Sequence, residues 1–224
     1  MKRREFVSVA ALAVIGTPLV CSTKLAVNEH VEWQPDGVGS LARIGVLTPD
    51  DDPVPESEMW TMATHGLSIH AARVVWNHDA AAFAQPPRVT CQAATEALRL
   101  LKALRVALIQ PPWFSEEVTA KGRDYFRSQG FDVVLCDRLT PARPFTEIAP
   151  SELYDWVRAN VPRQAQAVFV AGNGLRAIGT IQPLEHILGK PVLTANQVCL
   201  WKALQLVGST SVPTQYGRIF TLSR

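Results

Sequence analysis

The sequence predicts an α/β fold of two parallel-sheet lobes, the first of which is incomplete. Short apolar runs alternate with amphipathic stretches of ten to fifteen residues, as in right-handed βαβ units. After residues 105–110 this alternation continues through three further strand–helix steps. Between Trp76 and Arg105 it breaks into fragments. Because a complete βαβ unit needs about 30 residues, the first lobe is short by about one unit.

The first lobe is predicted over residues 41–104. An apolar strand at 42–48 is followed by a helix at 53–64 that opens with prolines and acids, and a second strand covers 67–76. The run "DAAAFAQPP" ends in two prolines, "RVTCQ" (88–92) has the composition of a further short strand, and 93–104 is a helix.

The second lobe is predicted over residues 105–224 and is more regular. Its expected strands are 105–110, 131–136, 167–171 and 191–195. Its expected helices are 115–130, 150–161, 175–188 and 196–208, of which the first, third and fourth end at a glycine. Ser115, followed by Glu117, is the expected N-cap of the first of these helices.

The bulk composition excludes several functional classes. The chain has 224 residues, 47% of them hydrophobic and 19% charged, which are values of a globular protein. A net charge of +2 with interspersed signs gives no electrostatic signature of nucleic-acid binding. Neither the cysteines nor the scattered histidines have metal-ligand spacing, and no GxSxG motif indicates a serine hydrolase. We expect no metal, and "GNG" at 172–174 is a poor match to a dinucleotide-binding fingerprint.

The N-terminus has the layout of an export signal. A basic start with Arg3 and Arg4 precedes a short apolar stretch, so residues 1–21 resemble a twin-arginine signal, and 22–40 form a linker. The apolar stretch is too short to span a membrane, and we expect no stable span in the mature chain. An exported, periplasmic protein is expected, with a cytoplasmic one as the alternative if the N-terminus is not a signal.

The segment "AVFVAGNGLRAIG" (167–179) has the form strand, tight turn, helix. Ligands bind at the carboxyl ends of strands in open α/β sheets, which makes Thr48 and Asn173 candidate binding residues. Turn or helix-cap chemistry is the alternative for each; it is equally weighted for Thr48 and favoured for Asn173.

Several segments together resemble one known family. "RIGVLTPD", "PESEMW", "LRAIGTIQPLEHILGKPVLTANQVCLWKAL" and "QYGRIF" are similar, in this order, to the maleate cis-trans isomerase and arylmalonate decarboxylase branch of the Asp/Glu racemase superfamily. The resemblance covers nearly all of 42–220. It implies two pseudo-symmetric lobes around a cleft, cofactor-independent isomerisation or decarboxylation of small carboxylates, and a cysteine in each lobe at a strand-to-helix turn.

The chain departs from the family pattern at the positions that carry this chemistry. Gly172 stands where the resemblance implies the second-lobe cysteine, and the first-lobe cysteine falls in the missing unit. Asp52 stands where the family has a carboxylate-binding asparagine, and its charge would repel a dicarboxylate. In the loop 111–115, Phe114 replaces a tyrosine that supplies a hydroxyl.

Four residues remain as candidate contacts for a small carboxylate ligand: Thr48, Gly172, Asn173 and Asn196. The resemblance places Thr48 at a substrate-contacting position and Asn196, with Gln197, at a carboxylate-binding turn, with helix capping an equal alternative there. No catalytic residue can be assigned, because Cys91, Cys136 and Cys199 are all expected to be packing residues.

Two functions follow from the sequence. One is a maleate isomerase-like protein with little or no cysteine-dependent activity. The other is a non-catalytic small-carboxylate-binding or degenerate scaffold protein. A homo-oligomer is possible under either interpretation.

Overall fold

The computed structural model describes residues 37–74, 88–140, 144 and 147–222. The predicted export signal, residues 22–36 of the predicted linker and the fragment "DAAAFAQPP" lie outside the described residues. Within these ranges no helix is both long and apolar enough to cross a membrane.

The first sheet has two parallel strands. β1 (Ala42–Pro49) pairs with β2 (Leu67–Val74) in a register that runs from Ala42 opposite Leu67 to Pro49 opposite Val74. The helix that connects them, α1 (Val54–Met62), has a proline in its first turn, where no intrahelical N–H bond is lost. Met59 and Met62 of α1 are buried in the same cluster as the inward-facing strand residues.

The second sheet has four parallel strands in the order β4-β3-β5-β6. They are β3 (Arg105–Gln110), β4 (Asp132–Arg138), β5 (Ala167–Val170) and β6 (Val192–Thr194). The helices of this lobe are α3 (Glu116–Ser128), α4 (Pro150–Asn160), α5 (Ile181–Leu188) and α6 (Ala195–Leu206). The predicted α/β fold with two parallel sheets and a smaller first lobe is confirmed.

The two lobes share one apolar core. Helix α2 (Arg88–Leu100) and α1 both pack against α6. The cluster they form contains Leu98 from α2 and Trp201 from α6, together with Phe126 and Phe169 of the second lobe. The elements on either side of Arg105 therefore share this cluster, while a second cluster, which includes Ile109, Leu153 and Val168, lies within the second lobe.

The expected strand at 88–92 is wrong, since α2 begins at Arg88. Val89 and Thr90 favour a strand locally, but the buried positions Thr90, Ala94 and Ala97 recur at helical spacing. The small alanines let this helix approach α6 closely, and this packing overrides the β-branched preference.

The expected helix from Leu175 is also wrong in its start. The chain after β5 runs through a turn, then a 3-10 helix at Ile178–Thr180, and α5 begins only at Ile181. Pro183 lies in the first turn of α5, where its missing N–H is tolerated. Had the helix begun at Leu175, the same proline would have interrupted it.

Candidate functional site

The turn after β5 lies at the carboxyl edge of the second sheet. Ala171 still continues the sheet, because its N–H donates to the carbonyl of Ile109 at 2.8 Å. Gly172 then adopts φ +86°, and the N–H of Leu175 donates back to its carbonyl at 3.3 Å. The positive φ favours glycine, because it brings a Cβ too close to the backbone.

Pro111 fills the space beside Gly172. A Cβ built on Gly172 would lie 2.2 Å from Cγ of Pro111, which follows β3 directly. A cysteine at this position would therefore need both a strained backbone and a displaced proline ring. The position at which the family resemblance implies a thiol is closed to any side chain in this conformation.

Two side chains also lie close to Gly174. A Cβ there would lie 3.2 Å from Oδ2 of Asp52 and 3.4 Å from Cζ2 of Trp113. Oδ1 of Asp52 accepts from the N–H of Val54 at 3.0 Å, which fixes the carboxylate at the start of α1. Burial raises the pKa of Asp52, and the neighbouring Asp51 acts in the same direction. The first-lobe loop thus presents a carboxylate to the second-lobe turn.

Thr48, at the end of β1, holds this loop. It is buried, and its hydroxyl donates to the carbonyl of Asp52 at 2.8 Å. The guanidinium of Arg73 donates to the same carbonyl at 2.7 Å and pairs with Glu56 at 2.5 Å. These hydrogen bonds are those of the turn role considered for Thr48, while contact with a ligand stays a prediction.

Asn173 and Asn196 lie side by side. Nδ2 of Asn173 donates to Oδ1 of Asn196 at 2.7 Å, and Nδ2 of Asn196 donates to the carbonyl of Asn173 at 2.9 Å. The cap role favoured for Asn173 is not found, since the following 3-10 helix has Ala177 as its N-cap residue. The structure therefore brings together three of the four candidates, Gly172, Asn173 and Asn196, at one turn.

Gln197, rather than Asn196, takes the capping role at the last helix. Thr194 is the N-cap residue of α6, and its N–H donates to Oε1 of Gln197 at 3.1 Å. Asn196 is buried, at 1% exposure, and takes no part in the cap. Its side chain instead contacts the turn after β5.

Glu58 of α1 is a site residue that the sequence analysis missed. Its carboxylate accepts from the N–H of Ala177 at 2.6 Å and of Ile178 at 3.0 Å. Nδ2 of Asn196 donates to its second oxygen at 2.8 Å. A signal existed, because Glu58 lies four residues from both Val54 and Met62, on the buried stripe of the helix.

Burial dominates the electrostatics of Glu58. The side chain is only 6% exposed, and desolvation raises its pKa although three hydrogen bonds stabilise the charged form. The negative charge of Asp52 acts in the same direction as burial. The carboxylate is held by neutral donors rather than by a cation.

The three described cysteines are poor nucleophiles. Burial raises the pKa of the Cys91 thiol to about 12, and burial also raises the pKa values of Cys136 and Cys199. Cys199 alone of the three contacts the site, since it lies 3.3 Å from Oγ1 of Thr90 and is hydrogen-bonded to Asn173. Those bonds lower its pKa, but desolvation outweighs them.

No metal site is found among the described residues. No group of three or more His, Cys, Asp or Glu side chains among them is arranged to hold an ion. A depression of about 520 Å³ lies elsewhere, beside α5, and is lined by Gln182, Pro183, Glu185, His186 and Arg218. Glu185 there already accepts from the N–H groups of Val192 and Arg218.

Comparisons with known proteins agree with this architecture. The family model for arylmalonate decarboxylase matches residues 66–220. No curated protein sequence matches the chain.

Three solved structures illustrate the similarity of fold. A cysteine-to-alanine variant of the maleate isomerase from Pseudomonas putida with maleate has a TM-score of 0.69 and 16% identity, covering 81% of this chain and 98% of that one. Unliganded arylmalonate decarboxylase has a TM-score of 0.67 and 18% identity, covering 81% and 99%. A cysteine-to-serine variant of the Nocardia farcinica maleate cis-trans isomerase, with a covalently bound succinylcysteine intermediate, has a TM-score of 0.66 and 19% identity, covering 81% and 99%.

Proposed function

Because this chain belongs to the arylmalonate decarboxylase family, we propose that it is a maleate isomerase-like protein that recognises small carboxylates without thiolate chemistry. One observation carries the proposal. Gly172 stands at the strand-end turn with φ +86°, and Pro111 fills the place of a side chain there. The turn keeps backbone donors but has no nucleophile.

The backbone of the turn supports recognition of an anion. No described residue accepts a hydrogen bond from the N–H of Gly172, Asn173 or Gly174. Consecutive N–H groups around a residue with positive φ are suited to a carboxylate oxygen. The similar maleate isomerase structure contains maleate, which is a small dicarboxylate.

Any residual isomerisation or decarboxylation has to use groups other than a thiolate. Isomerisation or decarboxylation next to a carboxylate needs donors that stabilise an enediolate and a group that moves a proton. Two titratable side chains contact the turn, Asp52 at Gly174 and Cys199 at Asn173, and burial raises the pKa of both. A cofactor-independent activity would therefore depend on Asp52 in the first place, because burial raises the pKa of the Cys199 thiol despite its hydrogen bonds.

A second candidate function is a binding or scaffold protein without turnover. The observation in its favour is that three side chains, those of Pro111, Asp52 and Trp113, pack against residues 172–174. A ligand has to displace or rearrange at least one of these side chains. Such a site fits slow or weak ligand binding better than rapid turnover.

Thermal-shift measurements on the purified protein test the proposal. We expect maleate or a phenylmalonate to raise the melting temperature in a saturable manner, while the corresponding neutral diamide does not. Product analysis by NMR in the same samples separates the two candidates. Stabilisation without product supports the binding protein, and stabilisation by none of the carboxylates contradicts recognition altogether.

The export signal remains part of the proposal. We expect residues 1–21 to direct the folded protein to the periplasm, on the basis of the paired arginines and the short apolar stretch. Cell fractionation of the wild type and of Arg3→Lys/Arg4→Lys tests this. Loss of the periplasmic pool in the double variant is the expected result, and an unchanged distribution contradicts it.

A further inference from the structure

The carboxylate of Glu58 lies in a receptor built entirely by the second lobe. One oxygen accepts from two backbone N–H groups, those of Ala177 and Ile178, and the other accepts from the side chain of Asn196. These donors lie 119 to 138 residues away from Glu58 along the chain. All three bonds therefore join the first lobe to the second.

The second lobe prepares this receptor through contacts of its own. Asn196 is oriented by two hydrogen bonds with Asn173, so its Nδ2 points toward Glu58 without help from α1. Ala177 and Ile178 are placed by the 3-10 helix, which is closed by bonds from Thr180 to the carbonyl of Ala177. Three fixed donors directed at two oxygens form a pattern that matches a carboxylate.

The charges around Glu58 rule out an ordinary ion pair as the reason for its position. Asp52 is the charged residue that acts on Glu58, and it has the same sign. A buried carboxylate that is repelled by its charged neighbour is retained only where several donors compensate its desolvation. The three donors of the second lobe compensate the desolvation of the Glu58 carboxylate.

We propose that the N–H groups of Ala177 and Ile178 and the amide of Asn196 form a carboxylate-binding site distinct from the N–H groups of residues 172–174, and that Glu58 is its tethered ligand. The tethered carboxylate holds α1 against the second lobe. When the Glu58 side chain is removed, the site accepts a free small monocarboxylate. This inference does not depend on recognition of a substrate at the 172–174 turn.

The substitution Glu58→Ala offers a matched probe. Alanine keeps Cβ and removes Cγ and the carboxyl group, and these atoms together correspond to acetate. With a dissociation constant on the order of 10 mM, about 200 mM acetate should shift the unfolding equilibrium of this variant about 20-fold toward the folded state. Acetamide has the same shape without the charge, and chloride controls for ionic strength.

Matched variants locate the effect. Glu56→Ala removes a carboxylate from the same helix, at a side chain that is 32% exposed and pairs with Arg73, so acetate should not stabilise it beyond the wild type. In Glu58→Ala/Asn196→Ala the receptor loses one donor, and the acetate response should weaken several-fold. Amide exchange of Ala177 and Ile178, measured by NMR, should slow when acetate binds to Glu58→Ala.

The outcome is decisive in either direction. A saturable stabilisation by acetate that is confined to variants lacking Glu58, and absent with acetamide, supports the proposal. If Glu58→Ala is unfolded in chloride, recovery of its far-UV circular dichroism in acetate but not in acetamide supports it equally. Equal acetate effects on wild type, Glu56→Ala and Glu58→Ala, or no acetate effect on stability and folding, would overturn it.

Discussion

Cγ of Pro111 lies 2.2 Å from the position that a Cβ on Gly172 would take. The proline follows β3 and the glycine follows β5, and these two strands are hydrogen-bonded neighbours in the sheet. The absence of a side chain at Gly172 and the proline ring that fills the space are therefore one structural feature. Introducing a thiol at Gly172 requires a change at both positions.

Gly172→Cys should destabilise the fold and confer no activity. The strained φ and the contact with Pro111 should together cost about 2–4 kcal/mol in the free energy of unfolding. Gly179→Cys is the control, because Gly179 has no atom within 4 Å of an added Cβ and no positive φ. Chemical denaturation measures the free energy of unfolding of both variants. If Gly172→Cys loses no more of it than Gly179→Cys does, the steric argument is refuted.

The Asn173–Asn196 pair predicts unequal effects of two similar substitutions. Asn196→Ala leaves one oxygen of the buried Glu58 carboxylate without a donor, which should cost about 2–3 kcal/mol. Asn173→Ala removes only neutral hydrogen bonds, those with Asn196 and Cys199, and should cost about 1 kcal/mol. Denaturant unfolding of both variants checks the order, and a larger loss in Asn173→Ala would be inconsistent with the role of Glu58.

Glu58 also predicts the direction of a pH dependence. Its pKa in the folded state is raised above the ordinary value of 4.5, so the folded protein binds more protons than the unfolded chain between these two pKa values. Its contribution to stability is fully present below about pH 4.5 and falls as the pH rises through the folded pKa.

The substitution Glu58→Gln isolates this contribution, because glutamine does not titrate. The stability of the wild type relative to Glu58→Gln should therefore be greatest in mild acid and decline toward neutral pH. Urea unfolding of both proteins across that range measures the difference. A difference that grows with rising pH would show that hydrogen bonding to the charged form outweighs burial.

Removal of the negative charge of Asp52 is expected to increase the affinity of the protein for a dicarboxylate. Asparagine can still accept from the N–H of Val54, so Asp52→Asn should fold normally. Relief of like-charge repulsion at the turn should be worth at least about 1 kcal/mol, or about fivefold in the dissociation constant. Isothermal titration with maleate checks this, and unchanged affinity would place the ligand away from Asp52.

The sequence predicted most of the fold because its strands are apolar runs flanked by turns. All six strands that the described residues form were expected, and Ser115 caps α3 by accepting from the N–H of Val118 at 3.2 Å, as predicted. The error at Arg88 arose where a local strand preference competed with the packing of α2 on α6. The error at Leu175 arose because Pro183 is tolerated only in the first turn of α5.

The site was less predictable, for a related reason. The carboxyl ends of parallel strands share one edge of a sheet, so residues at or just after strand ends could be expected to lie near one another. These residues are Thr48, Gly172, Asn173 and Asn196. Glu58 and Pro111 act across long sequence separations. The role of Glu58 depends on which lobe surfaces meet, and that of Pro111 on which strands are neighbours in the sheet. Periodicity along one helix or strand encodes neither.

The central claim is that this member of the family recognises carboxylates without thiolate chemistry, and turnover tests it most directly. Purified wild type and Cys199→Ser are incubated with maleate and with phenylmalonate, with and without iodoacetamide, and products are followed by NMR. Because the thiols of Cys91, Cys136 and Cys199 have raised pKa values, we predict no iodoacetamide-sensitive product from either protein. Robust turnover by the wild type that iodoacetamide or Cys199→Ser abolishes would contradict the account.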